Sequence, residues 1–165
     1  MEEILDSLRI KYSEEGKRLV LQARNLLSHY DTDSAFEKQF DELFRIMHTL
    51  KGNSAMFQQP EVELISKKLE SVFDLLKNDK LIISEEIIDI TLISLSHIEI
   101  LLENANELTG NQWKNQNLIN AKLDSILNSA ITENLISKVV EQKDSRKSKK
   151  FTFSFFKSKK IFVIS

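Results

Sequence analysis

The chain has 165 residues with no cysteine, three glycines and one proline, and its formal net charge is −2. Without Cys there is no disulfide scaffold, thiolate zinc site or cysteine nucleophile, and so few Gly and Pro disfavour a small β-sandwich or a glycine-loop nucleotide binder. The small net charge conceals a division: residues 1–141 carry 15 Lys/Arg against 24 Asp/Glu (−9), and residues 142–165 carry 8 against one, Asp144 (+7).

Ile4, Leu8, Tyr12, Leu19, Ala23, Leu26 and Tyr30 recur at spacings of three, four or seven and predict a long first helix with one apolar stripe. Gly16 falls near that stripe and marks a close helix contact, and His29 reads as a cation near the helix end. Asp31-Thr32-Asp33-Ser34 offers several N-caps for a second helix, whose stripe is Phe36, Phe40, Leu43, Met47, Leu50, Ser54 and Phe57. Gln59-Pro60-Glu61 ends it and opens a third, since Pro is tolerated in a first helical turn. The third helix carries Val62, Ile65, Leu69, Phe73 and Leu76 and closes at Asn78-Asp79-Lys80. Ser84-Glu85-Glu86 opens a fourth, with Ile88, Leu92, Leu95, Ile98 and Leu102 as its stripe. Thr109-Gly110-Asn111-Gln112 reads as a loop, with Trp113 packing at the entry to a fifth helix. That helix starts near Asn115 and carries Ile119, Leu123, Ile126 and Ala130 toward Val139. The fold class is therefore all-α: short connections favour an antiparallel four-helix bundle over residues 1–108, with an additional helix over 109–141.

One segment, His48-Thr49-Leu50-Lys51-Gly52-Asn53-Ser54-Ala55, stands out chemically. On a helical wheel His48 lies about 110° from the centre of its helix's stripe, on the flank rather than in the core. Lys51 and Gly52, at plus three and plus four, share that flank. A Gly in a helix interior costs about 1 kcal/mol relative to Ala, and close approach by another molecule is one justification for it. A reachable imidazole is nucleophilic through its unprotonated nitrogen. It could take up a phosphoryl group whose charge the Lys51 ammonium offsets.

These residues resemble the His-x-Leu-Lys-Gly signature of histidine phosphotransfer (HPt) domains, and more narrowly the N-terminal phosphoacceptor domain of the chemotaxis histidine kinase CheA. The resemblance covers roughly residues 1–107 and is sharpest over 44–76. It implies a four-helix bundle with an added fifth helix, phosphorylation of His48 on Nε2, and roles for Lys51 and Gly52 as the motif Lys and Gly. It also implies a Glu on the next helix that hydrogen-bonds the other ring nitrogen; Glu70 falls at that place, and on the wheel it lies about 100° off its own stripe. Glu70 otherwise reads as a solvated helix acid. Two departures are visible. Lys67 stands where such domains often have a second His, and reads either as a further phosphate-binding cation or as a surface lysine. Gln58 stands where they often have Gly after the motif Phe, here Phe57.

No Walker motif or glycine-rich ATP loop is present, and His97 has no ligand set at metal spacing, so it reads as surface or core-edge packing and no metal site is expected. The resemblance implies a phosphocarrier and not an enzyme, with no cofactor of its own. ATP would come with a histidine-kinase ATP-binding domain, and Mg²⁺ and the acceptor Asp with a response-regulator receiver domain. No nucleic-acid partner is expected of an acidic body. No apolar run approaches the roughly 18 residues of a membrane span, and Met1-Glu2-Glu3 lacks the basic start of a signal peptide, so the expected location is cytoplasmic. In residues 143–160 Lys and Arg bracket Phe151, Phe153, Phe155 and Phe156. Three readings stand for residues 142–165: a membrane-surface patch, a linker into a strand opening at Lys159-Lys160-Ile161, or a weakly docked end. Two rivals to the carrier remain: a helical adaptor that docks receiver or kinase domains without being phosphorylated, and a peripheral membrane-binding bundle.

Overall fold

The computed structural model describes the backbone of residues 2–28, 36–103 and 108–158, and side chains of 3–28, 38–103 and 108–136. Five helices run in chain order: α1 (Glu2–Ser28), α2 (Phe36–Met56), α3 (Pro60–Lys77), α4 (Glu85–Glu103) and α5 (Gly110–Ser158). Among the described residues there is no strand. The proposed N-caps at 31–34, together with His29 and Tyr30, lie outside the described residues.

Cross-helix pairs fix the direction of the first four helices. Between α1 and α2, Tyr12 pairs with Ser54 and Gln22 with Glu42. Between α2 and α3, His48 pairs with Glu70 and Asp41 with Lys77. Between α1 and α4, Ser13 donates to the Leu102 carbonyl and Arg24 pairs with Glu99. In every case numbers rise on one helix as they fall on its neighbour, so the four form an antiparallel bundle, closed into a ring by contact between α3 and α4.

The α3 stripe is buried as its spacing requires, and so is the α2 stripe from Phe40 to Ser54; Phe57 is half-buried and the Phe36 side chain lies outside the described residues. Leu43, Met47, Leu50, Val62, Ile65, Leu69 and Phe73 are almost wholly out of water, and truncating a ring such as Phe73 to Ala in a core like this costs about 3–5 kcal/mol. Ser54 interrupts the α2 stripe without loss. It donates to the Leu50 carbonyl (2.7 Å) and accepts from the Tyr12 hydroxyl (2.9 Å), so both buried polar groups are satisfied. Gly16 is a close helix contact as expected: a Cβ there would lie 2.7 Å from Leu102 Cδ1.

Helices α2 and α3 end in the same way. The Gln59 and Gln58 amides donate to the Ser54 and Ala55 carbonyls, and the Lys80 and Asp79 amides to those of Leu75 and Leu76. Both are Schellman endings, with Gln58 at φ 56 and Asp79 at φ 54 in the left-handed region. Gln58 thus takes the backbone conformation for which glycine is suited.

Several expectations need correction. Ile4 and Leu8 continue the α1 stripe but are 65% and 43% exposed, and burial begins at Tyr12. The α4 stripe is displaced from its expected line: Ile88 and Leu92 are only half-buried, while Ile87, Ile90, Thr91, Ser94, His97 and Leu101 are buried beside Leu95, Ile98 and Leu102, and Gln116 of α5 bonds the buried His97. Residues 109–112 are not a loop. Thr109 caps α5: its hydroxyl accepts from the Gln112 amide while the Gln112 side chain accepts from the Thr109 amide (2.7 Å), a capping box with Gln at the third position. Helix α5 therefore starts at Gly110, and Trp113 is exposed rather than packed.

The fold divides into two compact units, Met1–Asn128 and Ser129–Ser165. In the first, α5 buries Ile119 and Leu123 and ties to α3 through Lys68 and Asp124 (2.8 Å) and to α4 through Lys122 and Glu86 (3.1 Å). The second is described as helix through Ser158, past the point near 142 where the charge reverses; the strand anticipated from 159 lies outside the described residues. Among the described residues no helix is long and apolar enough to cross a membrane, and no cluster of His, Cys, Asp or Glu is fit to hold a metal ion.

Candidate functional site on the face of α2 and α3

The three-residue link between α2 and α3 forces the two helices into close antiparallel contact, and their flanks form one face. His48 projects from α2 with its side chain 64% exposed. Its Nδ1 lies 2.7 Å from Glu70 Oε1 on α3. The other oxygen of Glu70 accepts from Lys51 Nζ at 2.6 Å. One half-buried carboxylate thus joins the two α2 side chains that the wheel places on a single flank.

Charge settles the direction of the imidazole hydrogen bond. Burial alone would raise the Glu70 carboxyl, but hydrogen bonds and charge from Lys51 and His48 outweigh it and hold the group below its ordinary value. An ionised carboxylate can only accept, so Nδ1 carries the proton and donates it. The second ring nitrogen, Nε2, makes no hydrogen bond among the described residues and is the one that bears the lone pair when the ring is neutral.

Lys67 lies one turn before Glu70 on α3, exposed and without an ion pair among the described residues. Lys51 is half-buried and bound to Glu70, so the two lysines differ in readiness to meet an incoming anion. Gly52 is exposed, and a Cβ there would meet nothing within 4 Å. Nothing among the described residues requires that glycine.

Phe44 went unremarked in the sequence. It sits four residues before His48, and the two rings are stacked at a centroid distance of 6.2 Å and an angle of 22°. Lys77 Nζ lies over the Phe44 ring, 4.6 Å from its centroid. The signal was available, because positions four apart on a helix share a face.

His97 is a contrast. It is 3% exposed, its Nε2 donates to Gln116 Oε1 (3.0 Å), and Gln116 in turn donates to the Glu61 carbonyl (3.1 Å). Burial pushes its imidazole below the ordinary value, against the hydrogen bond, which alone would raise it. It joins α3, α4 and α5 and takes no part in the face around His48.

The chain is 35% identical over 92 residues to the Chemotaxis protein CheA of Borreliella burgdorferi, covering 55% of this chain and 10% of that protein. It is 28% identical over 89 residues to the Chemotaxis protein CheA of Treponema pallidum (54% and 11%). To the Chemotaxis protein CheA of Bacillus subtilis it is 25% identical over 126 residues (76% and 18%). The match thus spans less than a fifth of the length of each of these relatives. The family model described as Hpt domain matches residues 7–109, which include the whole α2–α3 face and more than half of the sequence. On that match, and on a helical bundle of the kind it requires, the chain belongs to the Hpt domain family.

Proposed function

We propose that this chain is a covalent phosphocarrier of two-component signalling, of the chemotaxis type that its relatives' names suggest, with His48 as the phosphoacceptor. The observation that carries the reading is the hydrogen bond between His48 Nδ1 and Glu70 on an exposed side chain, which engages one ring nitrogen and, in the neutral ring, assigns the nucleophilic lone pair to Nε2. In the forward step the Nε2 lone pair attacks the γ-phosphorus of ATP held by a kinase domain. An N–P bond forms, the bond from phosphorus to the β,γ-bridging oxygen breaks, and ADP leaves. The ring keeps its Nδ1 proton and becomes cationic, and the Glu70 carboxylate compensates that charge. In the second step a carboxylate oxygen of a receiver aspartate attacks phosphorus, the N–P bond breaks, and the ring returns to neutrality.

Lys67 and Lys51 neutralise the phosphoryl oxygens, Lys51 by turning from Glu70. Gly52 gives the partner's catalytic surface room to close over the imidazole. ATP and Mg²⁺ belong to the partner domains, and this chain contributes a nucleophile and its positioning. The carrier unit is residues 1–108, with 109–141 as an additional helix and 142–165 as a basic-aromatic tail or linker, of which the part through Ser158 continues α5. The test is incubation with a chemotaxis-type kinase domain, Mg²⁺ and γ-labelled ATP. Label that is acid-labile and base-stable is expected on the wild type and absent from His48→Gln. Label persisting in that variant would move the acceptor elsewhere, and tight binding without any label would favour the adaptor.

A further inference from the structure

We infer that Phe44 is a positioning residue for His48, its ring fixing the plane of the imidazole so that Nδ1 meets Glu70 and Nε2 faces out. The consequence for phosphoryl transfer rests on the phosphocarrier reading above; the geometry does not.

One hydrogen bond defines the position of one atom. About the Nδ1–Oε1 contact the ring of His48 could still tilt, and an exposed side chain explores its rotamers freely. A second constraint from another direction is needed to hold the plane, and Phe44 supplies it. Spaced one turn before His48 on α2, it presents its ring at 22° to the imidazole and 6.2 Å away, within the range of offset aromatic stacking. Phe44 is itself held. It is partly buried against the core, and Lys77 Nζ lies 4.6 Å from its centroid. Lys77 is anchored by Asp41 (3.2 Å), which also binds Arg45 (2.8 Å). A chain of contacts therefore runs from the last turn of α3 through Phe44 to the imidazole, separate from the one that runs through Glu70.

The experiment uses the full chain and two readouts. Ring ¹⁵N–¹H NMR of His48 reports which nitrogen carries the proton. Initial label uptake, measured against donor kinase concentration, reports transfer. Phe44→Leu keeps apolar bulk without the planar ring, and Phe44→Tyr keeps the ring. Wild type and Phe44→Tyr are expected to show the Nδ1–H form. Phe44→Leu is expected to show a mixture of forms and a maximal uptake rate about tenfold lower, with little change in the kinase concentration at half-maximal rate. Lys77→Met, which leaves both rings in place, is expected to shift the spectrum in the same direction by less, and it decides the matter if Phe44→Leu does not fold. A wild-type spectrum and rate in Phe44→Leu, or loss in Phe44→Tyr equal to that in Phe44→Leu, overturns the inference. Should the wild type take up no label, the phosphocarrier reading fails, while the NMR comparison still decides whether Phe44 orients the ring.

Discussion

The face of α2 and α3 and the inner surface of α4 each meet a histidine and a helical glycine, and they treat both residue types in opposite ways. His48 stands on the face with one nitrogen bound to a carboxylate and the other open. His97 is enclosed, bound to an amide that is itself bound to a backbone carbonyl. Gly52 borders His48 and has open space where a Cβ would be; Gly16 meets α4 and has Leu102 there. Around α4 the special residues serve contacts within the chain. On the α2–α3 face His48 is tied down on one side only and Gly52 meets nothing among the described residues, and that asymmetry, more than the presence of a histidine, is what supports the proposed role of this face.

The comparison breaks most visibly if the histidines are exchanged in role. His48→Gln is expected to abolish phosphoryl uptake and leave thermal unfolding close to wild type, while His97→Ala keeps uptake and lowers stability by about 1–3 kcal/mol, because Gln116 loses its buried donor. Labelling and calorimetry on the same two proteins check both halves. Next in size is Glu70→Gln, which replaces an acceptor-only group with an amide that cannot offset the charge on the ring. Uptake about tenfold slower or worse is expected, together with a mixed tautomer in the His48 spectrum. A wild-type rate would reduce Glu70 to a partner for Lys51.

Acid unfolding sharpens the contrast further. His97 is held below its ordinary 6.5 in the fold, so the unfolded chain binds its proton first as the pH falls. The stability linked to His97 is whole above about 6.5 and drains as pH drops toward its lowered folded value. Glu70 is also lowered, from 4.5, so its share is whole above about 4.5 and is lost only below that. In a plot of unfolding midpoint against pH, His97→Ala is expected to flatten the fall that begins near 6.5, and Glu70→Gln to reduce the fall below about 4.5, which Glu15 shares. The smallest effect lies with the glycines. Gly52→Ala should raise stability by about 1 kcal/mol through helix propensity alone while slowing transfer. Gly16→Ala should gain less or nothing, since the tip of Leu102 must move aside.

Much of this was legible in the sequence, for reasons that differ by element. The α2 and α3 stripes, the Pro60 boundary and the shared flank of His48 and Lys51 follow from a period of 3.6 and a proline, and packing did not override them. Glu70 needed more: the wheel put it off the core, but only family resemblance directed it to His48. What stayed hidden depended on partners that no single helix encodes. The depth of His97 is set by α5 lying across α4, and the exposure of Ile4 and Leu8 by α1 starting before its stripe meets the core. Thr109 and Gln112 were overlooked for another reason. Gly110 suggested a loop, although the Thr-x-x-Gln spacing around it is that of a helix start.

The left-handed residues that close α2 and α3 have a practical consequence. Glycine adopts φ near 56° freely, whereas Gln58 holds it against its own Cβ. Gln58→Gly is expected to raise the melting temperature without touching His48, Lys51, Lys67 or Glu70. The molecule thus keeps an untapped reserve of robustness at the corner next to the helix that carries His48, and an engineer could draw on it to offset whatever the more damaging substitutions around the imidazole take away.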